Sequence, residues 1–259
     1  MTPSSPDLLH HALRGAAQGT AEPLPRLQRA LVVGAGGTLG SAVLAEALVA
    51  GRFQQVAAVV AGPLTSALRG LQTCGVQALL DGAAAVQADV AFVVFERARH
   101  SNGRDDAFFQ PDPDQLLALA QGLHAAGVRR LLVVVPHAPA LLPHALKAGF
   151  ASQAEGAVAA LGFEQLVFLR AAQGGGAGAT GSRLQRFAAW WLGQLQWMVP
   201  QREQPVRAVV LAALAVQLAQ LLPAARPGTR VLAPETLWLA AQAGAAGGLP
   251  ALAAWLGTS

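Results

Sequence analysis

This sequence contains several short runs of uninterrupted apolar residues, and these runs constrain its fold more than any other feature. VAAVV (Val56 to Val60), VAFVVF (Val90 to Phe95) and LLVVV (Leu131 to Val135) show no alternation of apolar and polar residues. Strands of this kind are typical of parallel sheets, because helices cover both faces of such sheets. Further strands are predicted at Arg29 to Gly34, Val76 to Leu80, Leu166 to Arg170 and near Val231.

Helical segments alternate with these strands. Ser41 to Ala50 follows helical spacing, and Asp112 to Ala126 carries Pro113 in its first turn, where a missing N–H costs little. The other predicted helices are Leu141 to Leu161, Leu184 to Met198, Pro205 to Leu222 and a last helix from Pro234. The alternation predicts an α/β fold, a doubly wound parallel sheet of Rossmann-like type with a C-terminal helical cap.

The domain organisation follows from length and composition. A chain of 259 residues with 53% hydrophobic and 12% charged residues can bury one large core. Residues 1–28 are rich in proline and small polar residues and are expected to form a flexible tail. Residues 29–259 are then a single domain, in which a glycine-rich loop and a Trp-rich helix at 173–204 form the cap.

Charge and cysteine content exclude several classes of function. The net charge is +4 and the arginines are scattered, which disfavours nucleic-acid binding. No apolar stretch reaches the roughly 18 residues of a membrane span, and the N-terminus does not resemble a signal peptide. The single cysteine forms no internal disulfide, and the histidines lack metal-ligand spacing. We therefore expect a cytoplasmic protein without a metal site.

A glycine-rich turn joins the first predicted strand to the first predicted helix, in the sequence LVVGAGGTLGSAV. Glycine permits the positive φ and close backbone approach that such a turn requires. The helix N-terminus then offers free N–H groups and a positive dipole end to a pyrophosphate. The spacing G-x-x-G-x-x-G departs from the usual fingerprint, so a turn that binds nothing is the alternative. The predicted cofactor-binding residues here are Gly34, Gly36, Gly37, Thr38, Leu39 and Gly40.

Several segments of this chain are similar to segments of one known family and occur in the same order along the sequence. They are VVGAGGTLG (Val32 to Gly40), ADVAFVVF (Ala88 to Phe95), the stretch from Ala107 to Val135, and AEGAVAALGFEQLVFLR (Ala154 to Arg170). On these segments the chain resembles the atypical short-chain dehydrogenases/reductases, in their Tat-interacting oxidoreductase-like branch. The resemblance implies a Rossmann fold and a small-molecule dinucleotide, NAD or NADP, as ligand.

The catalytic residues of that family are not kept here. Its members carry a Tyr-x-x-x-Lys pair, whose phenol is the acid or base of hydride chemistry, and this chain has no tyrosine. Alignment back from Arg170 puts Lys147 at the tyrosine position and Ala151 at the lysine position. A shift by one helical turn puts Lys147 at the lysine position and Pro143 at the tyrosine position. Lys147 and His137 are the candidate substitute acid/base pair, and a solvated lysine is the alternative.

The resemblance also locates the contacts that would recognise the cofactor. After the second strand, relatives place arginines for a 2′-phosphate or an acid for the ribose hydroxyls, whereas this chain has Ala61 and Gly62. We therefore predict a weak or absent preference between NAD and NADP, with similar weak affinities or no binding of either. Asp81, after the third predicted strand, fits the position that often meets the adenine, with a turn aspartate before Gly82 as the alternative.

The turn after the fourth strand departs from the family as well. Relatives have a small Gly-Thr turn there, and this chain has the bulky and charged residues Phe95 to Arg97. If neither NAD nor NADP binds, we expect that these residues fill the nicotinamide half of the cleft. The sequence therefore favours an NAD(P)-binding protein that lacks Tyr-Lys catalysis. Two alternatives stay open: an active oxidoreductase or epimerase with a rewired acid/base pair, and a cofactor-free interaction module. A homodimer also stays open.

Overall fold

A computed structural model describes residues 28–62, 70–82, 87–96, 107–137, 152–172 and 206–257. Within these ranges the chain forms one seven-stranded sheet, in which every neighbouring pair of strands is parallel. The strands are β1 (Gln28–Val33), β2 (Phe53–Val60), β3 (Leu71–Gly75), β4 (Val90–Val94), β5 (Arg130–His137), β6 (Gln165–Ala172) and β7 (Gly228–Leu232). Their order, β3-β2-β1-β4-β5-β6-β7, confirms the predicted doubly wound α/β fold.

Helices cover both faces of the sheet. They are α1 (Gly37–Val49), α2 (Val76–Leu80), α3 (Leu116–Ala125), α4 (Gln153–Ala159), α5 (Ala208–Leu221), α6 (Pro234–Gln242) and α7 (Gly244–Leu256). Successive strand residues point to opposite faces, so Leu31 and Val33 pack with α2, α3 and α4. Ala30 and Val32 pack on the other face with α1 and the C-terminal helices α5, α6 and α7. Two buried cores result, which explains the unbroken apolar runs.

One predicted strand is wrong. Val76–Leu80 forms α2, and the third strand is instead Leu71–Gly75. That strand lies at the sheet edge and is only partly buried, so it tolerates polar residues and lacks the apolar run of a central strand. The apolar residues of α2 have a different role: Leu79 is fully buried. Gly122 of α3 leaves room for the Leu79 backbone, where a Cβ atom would collide with its carbonyl oxygen.

Most of the remaining element boundaries agree with the sequence to within a few residues. The starts of α1 and α3 are each shifted by four residues, to Gly37 and Leu116. The predicted helix Leu141 to Leu161 is not continuous, because α4 begins only after Ser152, which has an extended backbone and caps it. The predicted last helix from Pro234 is divided into α6 and α7. Residues 141–151 of one predicted helix, the predicted cap at 173–204 and residues 1–27 lie outside the described residues. None of the helices in the described ranges combines the length and apolar character that crossing a membrane requires.

The strand order creates a switch point between β1 and β4. From β1 the chain continues through α1 to β2 on one side, and from β4 it continues through α3 to β5 on the other side. The two connections therefore leave the carboxyl ends of adjacent strands in opposite directions and open a crevice between them. In open α/β sheets, ligands bind in this crevice.

Candidate nucleotide-binding site

The glycine turn lies in the crevice at the switch point, and its backbone requires glycine. Gly34 and Gly37 adopt φ values of +84° and +76°, a region that side chains with a Cβ atom rarely occupy. A Cβ atom on Gly34 would collide with the carbonyl oxygen of Val94 at the end of β4. A Cβ atom on Gly40 would collide with the carbonyl oxygen of Gly34. The turn is thus packed tightly between β1, α1 and β4.

The first turn of α1 has an unusual hydrogen-bond partner. Its N-cap residue is Gly36, which has no side chain to accept a bond from the free amides of the helix. The N–H of Leu39 instead donates to Oε2 of Glu96 over 2.9 Å. A Cβ atom on Gly37 would lie only 2.5 Å from the same oxygen. The half-buried Glu96 carboxylate therefore lies directly over the helix N-terminus.

The segment before α3 forms the wall of the crevice on the β2 side. Phe109 donates its N–H to the carbonyl oxygen of Val59, and Ala61 donates its N–H to the carbonyl oxygen of Ala107, both over 3.0 Å. These bonds hold the segment antiparallel to the end of β2. The segment continues to Pro111, whose Cδ lies 3.1 Å from the place where a Gly34 Cβ atom would be. The wall thus touches the glycine turn itself.

The backbone of this site fits a dinucleotide, but one side chain opposes its binding. The positive-φ glycines, the helix N-terminus and the switch point form the backbone cradle that a pyrophosphate requires. However, Glu96 already accepts a hydrogen bond from Leu39, and its negative charge would repel a pyrophosphate in the same place. The backbone therefore fits the cofactor, and the Glu96 side chain must leave before a phosphate can contact the Leu39 amide.

The structure brings six of the predicted cofactor-binding residues together. Gly34, Gly36, Gly37, Thr38, Leu39 and Gly40 form the turn and the first residues of α1. Thr38 is exposed, whereas Leu39 is buried in the core with α5. Leu39 therefore contributes its backbone amide to the crevice, and its side chain anchors the helix.

Asp81 does not join this group. It follows α2 and accepts a hydrogen bond from Nε2 of Gln77 over 2.9 Å. A Cβ atom on its neighbour Gly82 would meet the Cβ atom of Ala125, the last residue of α3. Because α3 ends where the chain turns toward Arg130 and the start of β5, Asp81 lies toward the amino ends of the strands. It has the environment of a turn aspartate.

The two candidate catalytic residues are located only in part. His137 is the last residue of β5 and pairs with Ala172 of β6, so its backbone is at the carboxyl edge of the sheet. Lys147 lies outside the described residues. The substitute acid/base pair stays a prediction.

Residues Phe95 to Arg97 differ from what the sequence suggested. Phe95 is 2% exposed and belongs to the core beside α3, so it does not fill the cleft. Glu96 lies over the glycine turn, the part of the crevice that would receive a pyrophosphate rather than a nicotinamide. Arg97 lies outside the described residues. The sequence marked this turn as altered, but it did not indicate which part of the site the carboxylate reaches.

A buried ion pair lies close to the carboxyl edge of the sheet. Nη1 and Nη2 of Arg170, on β6, donate to Oε1 and Oε2 of Glu155, on α4, each over 2.6 Å. Their side chains are only 2% and 4% exposed. Ser152 caps α4 by accepting the Glu155 N–H over 3.2 Å. The pair therefore holds α4 against β6. In the sequence, the only sign of a buried charge here is that Arg170 directly follows the apolar run LVFL.

Other reactive groups of the described residues do not form a second site. Burial raises the pKa of the Cys74 thiol above its ordinary value, which keeps the thiol protonated and weakly nucleophilic at neutral pH. In the described ranges, no three His, Cys, Asp or Glu side chains are grouped as metal ligands.

Comparison with known proteins finds similarity in structure only. No protein-family model and no curated protein matches this chain. Among solved structures, it is similar to UDP-glucose 4-epimerase from Brucella ovis in complex with NAD, with 16% identity and a TM-score of 0.48 over 80% of this chain and 77% of the epimerase. It is also similar to the enzyme WbmH from Bordetella bronchiseptica in complex with NAD+, with 13% identity and a TM-score of 0.46 over 83% of this chain and 80% of WbmH.

A third similar structure is the enzyme WbmG from Bordetella bronchiseptica in complex with NAD. The identity is 14% and the TM-score 0.41, over 82% of this chain and 83% of WbmG. The fold of this chain is given by its own strand order, and the chemistry of its site by its own residues.

Proposed function

We propose that this chain is an NAD(P)-binding protein of the short-chain dehydrogenase/reductase type that does not perform tyrosine-dependent hydride transfer. The glycine turn carries the proposal, because Gly34 and Gly37 at positive φ and the first turn of α1 meet at the switch point of a parallel sheet. Backbone amides at such a turn bind a pyrophosphate without needing a particular side chain. The absence of tyrosine supports the second half of the proposal.

The residues that would hold the dinucleotide are the backbone amides between Gly36 and Leu39. When bound, the nicotinamide ring supplies the hydride acceptor or donor. A hydride reaction also requires a positioned proton donor or acceptor. The family's phenol is missing, and the chain retains Lys147 and His137 as candidates for that role.

Replacing Gly37 by valine is expected to abolish binding of ADP-ribose and NAD+. The valine would force a β-branched side chain into φ +76° and place its Cβ atom where the first turn of α1 meets the ligand. Isothermal titration calorimetry at millimolar ligand measures the affinity of both proteins. We expect weak binding to the native chain and none to Gly37→Val.

Gly162→Val is the matched control. Gly162 has nearly the same φ, +83°, but a Cβ atom there would meet no other atom within 4 Å, and the residue is exposed before β6. It therefore imposes similar backbone strain away from the crevice. Equal loss of binding in the two variants would show that the loss reflects destabilisation. If the native chain and Gly162→Val both fail to bind either ligand, while Glu96→Gln also fails, the proposed function is wrong.

We predict that NAD+ and NADP+ bind with similar affinities. Ala61 and Gly62 follow β2 and are exposed, and neither offers a carboxylate to ribose hydroxyls or a guanidinium to a 2′-phosphate. Calorimetry with both dinucleotides tests this, and a preference above about 100-fold, or about 2.7 kcal/mol, would contradict it. Ala61→Arg should shift the ratio toward NADP+, because a guanidinium pairs with phosphate in a bidentate manner.

The cofactor-free interaction module is the second candidate function. Glu96 favours it, since a site whose helix N-terminus is already occupied by a carboxylate is complete without a ligand. The two candidates differ in one measurable property, which is whether removal of that carboxylate charge permits a dinucleotide to bind.

A further inference from the structure

We infer that Glu96 is a specificity-determining residue of this crevice, because its carboxylate takes the place of a phosphate group at the N-terminus of α1 and weakens the binding of pyrophosphate ligands. The inference rests on the proposed function, since it concerns the same glycine turn. In the native chain the Glu96 carboxylate is the anion at this helix N-terminus, and a dinucleotide must displace it in order to bind there.

The chemistry of the contact supports this substitution. A helix N-terminus leaves amides without intrahelical partners and has a positive dipole end, so it attracts either a side-chain oxygen or an anionic ligand. In α1 the N-cap Gly36 supplies no oxygen, and the first turn holds no acidic residue. Glu96 fills this need from 57 positions away, with a charged oxygen 2.9 Å from the Leu39 nitrogen. A phosphate oxygen would form the same kind of bond.

The position of Glu96 is fixed by the sheet. The preceding residue, Phe95, is buried and donates its N–H to the carbonyl oxygen of Val134 on β5 over 3.0 Å. The backbone at Glu96 is therefore held at the switch point, immediately across the crevice from the glycine turn. The side chain itself is only half-buried and has three rotatable bonds, so it can swing toward solvent without movement of the sheet.

Displacement of Glu96 costs binding energy in two ways. The helix loses its capping hydrogen bond while the side chain is withdrawn. A withdrawn carboxylate that remains within a few ångströms of a pyrophosphate also repels it. Neutralising the side chain removes the repulsion and weakens the cap, so both effects favour the ligand.

The direct test compares the native chain with Glu96→Gln by calorimetry, using inorganic pyrophosphate and ADP-ribose as probes. We expect the glutamine variant to bind both at least about tenfold more tightly, which corresponds to about 1.4 kcal/mol. Glu46→Gln is the matched control, because it also removes one negative charge, but from the C-terminal half of α1 and so away from the glycine turn. We expect the control to bind like the native chain.

A second measurement reports on the contact without any ligand. Amide hydrogen exchange at Leu39 should be protected in the native chain and in Glu46→Gln, and should become faster in Glu96→Ala, which has no carboxylate to accept the bond. Unchanged exchange at Leu39 in Glu96→Ala would overturn the inference, because the carboxylate would then not be the partner of that amide.

The outcomes separate the inference from the proposed function. If the native chain and Glu96→Gln bind the probes equally well, the inference is wrong and the proposed function stands. If Glu46→Gln gains as much affinity as Glu96→Gln, the effect is one of net charge and the inference is also wrong. If neither the native chain nor Glu96→Gln binds, Glu96 is not what limits the site, and the proposed function fails with the inference.

Discussion

Arg170→Met should lower the free energy of unfolding by about 3–5 kcal/mol, because it removes the Arg170 guanidinium from the buried Glu155 carboxylate. Both side chains are almost fully buried, at 2% and 4% exposure, and two 2.6 Å bonds join them. Water cannot solvate the remaining charge without opening the contact between α4 and β6. Denaturation by urea, followed by circular dichroism, measures the loss.

Two further variants test the cause of that loss. Arg29→Met removes an arginine whose contact with Asp89 is 3.7 Å long, with side chains 36% and 38% exposed, so it should cost less than about 1 kcal/mol. The double variant Arg170→Met with Glu155→Leu should regain much of the stability, since an apolar pair leaves no buried charge. Equal losses in Arg29→Met and Arg170→Met would contradict the interpretation.

The sheet could be predicted because its central strands carry their own signal. Helices cover both faces of the central parts of β1, β2, β4, β5 and β6, so each of these strands contains a run of apolar residues. The edge strand β3 was not predicted, because a strand at the edge of a sheet is partly exposed and tolerates polar residues such as Gln72 and Thr73. The apolar segment beside it, Val76–Leu80, was taken for the strand because a five-residue run does not distinguish helix from strand.

The site could be predicted only where its chemistry is local. The glycine turn is local, since positive φ and close packing require glycine at Gly34 and Gly37 whatever lies elsewhere in the chain. The contact of Glu96 with Leu39 is not, because it depends on how the chain leaves β4 and on which way one flexible side chain turns. The buried pair of Arg170 and Glu155 likewise joins a strand to a helix, and only the three-dimensional structure shows that they meet.

Hydride transfer is expected to be absent, or at least about 10²–10⁴-fold slower than with a positioned general acid, on aldehydes, ketones and sugar nucleotides. The reason is compositional: the chain has no tyrosine, so no phenol can donate the proton in any alignment register. The measurement follows NAD(P)H absorbance over a panel of such substrates. The native chain alone would not separate missing chemistry from weak cofactor binding, because Glu96 lies over the glycine turn.

The assay is therefore done in the Glu96→Gln background, at dinucleotide concentrations that calorimetry shows to be saturating. Absence of turnover with the cofactor bound would then be due to the missing proton donor rather than to an occupied crevice. Lys147→Ala and His137→Ala are prepared in the same background, because these residues are the candidates for a substitute acid. Turnover that collapses in either variant would contradict the non-catalytic proposal and identify a rewired active site. Turnover that survives both substitutions would also contradict it, and would require a donor elsewhere along the carboxyl edge of the sheet.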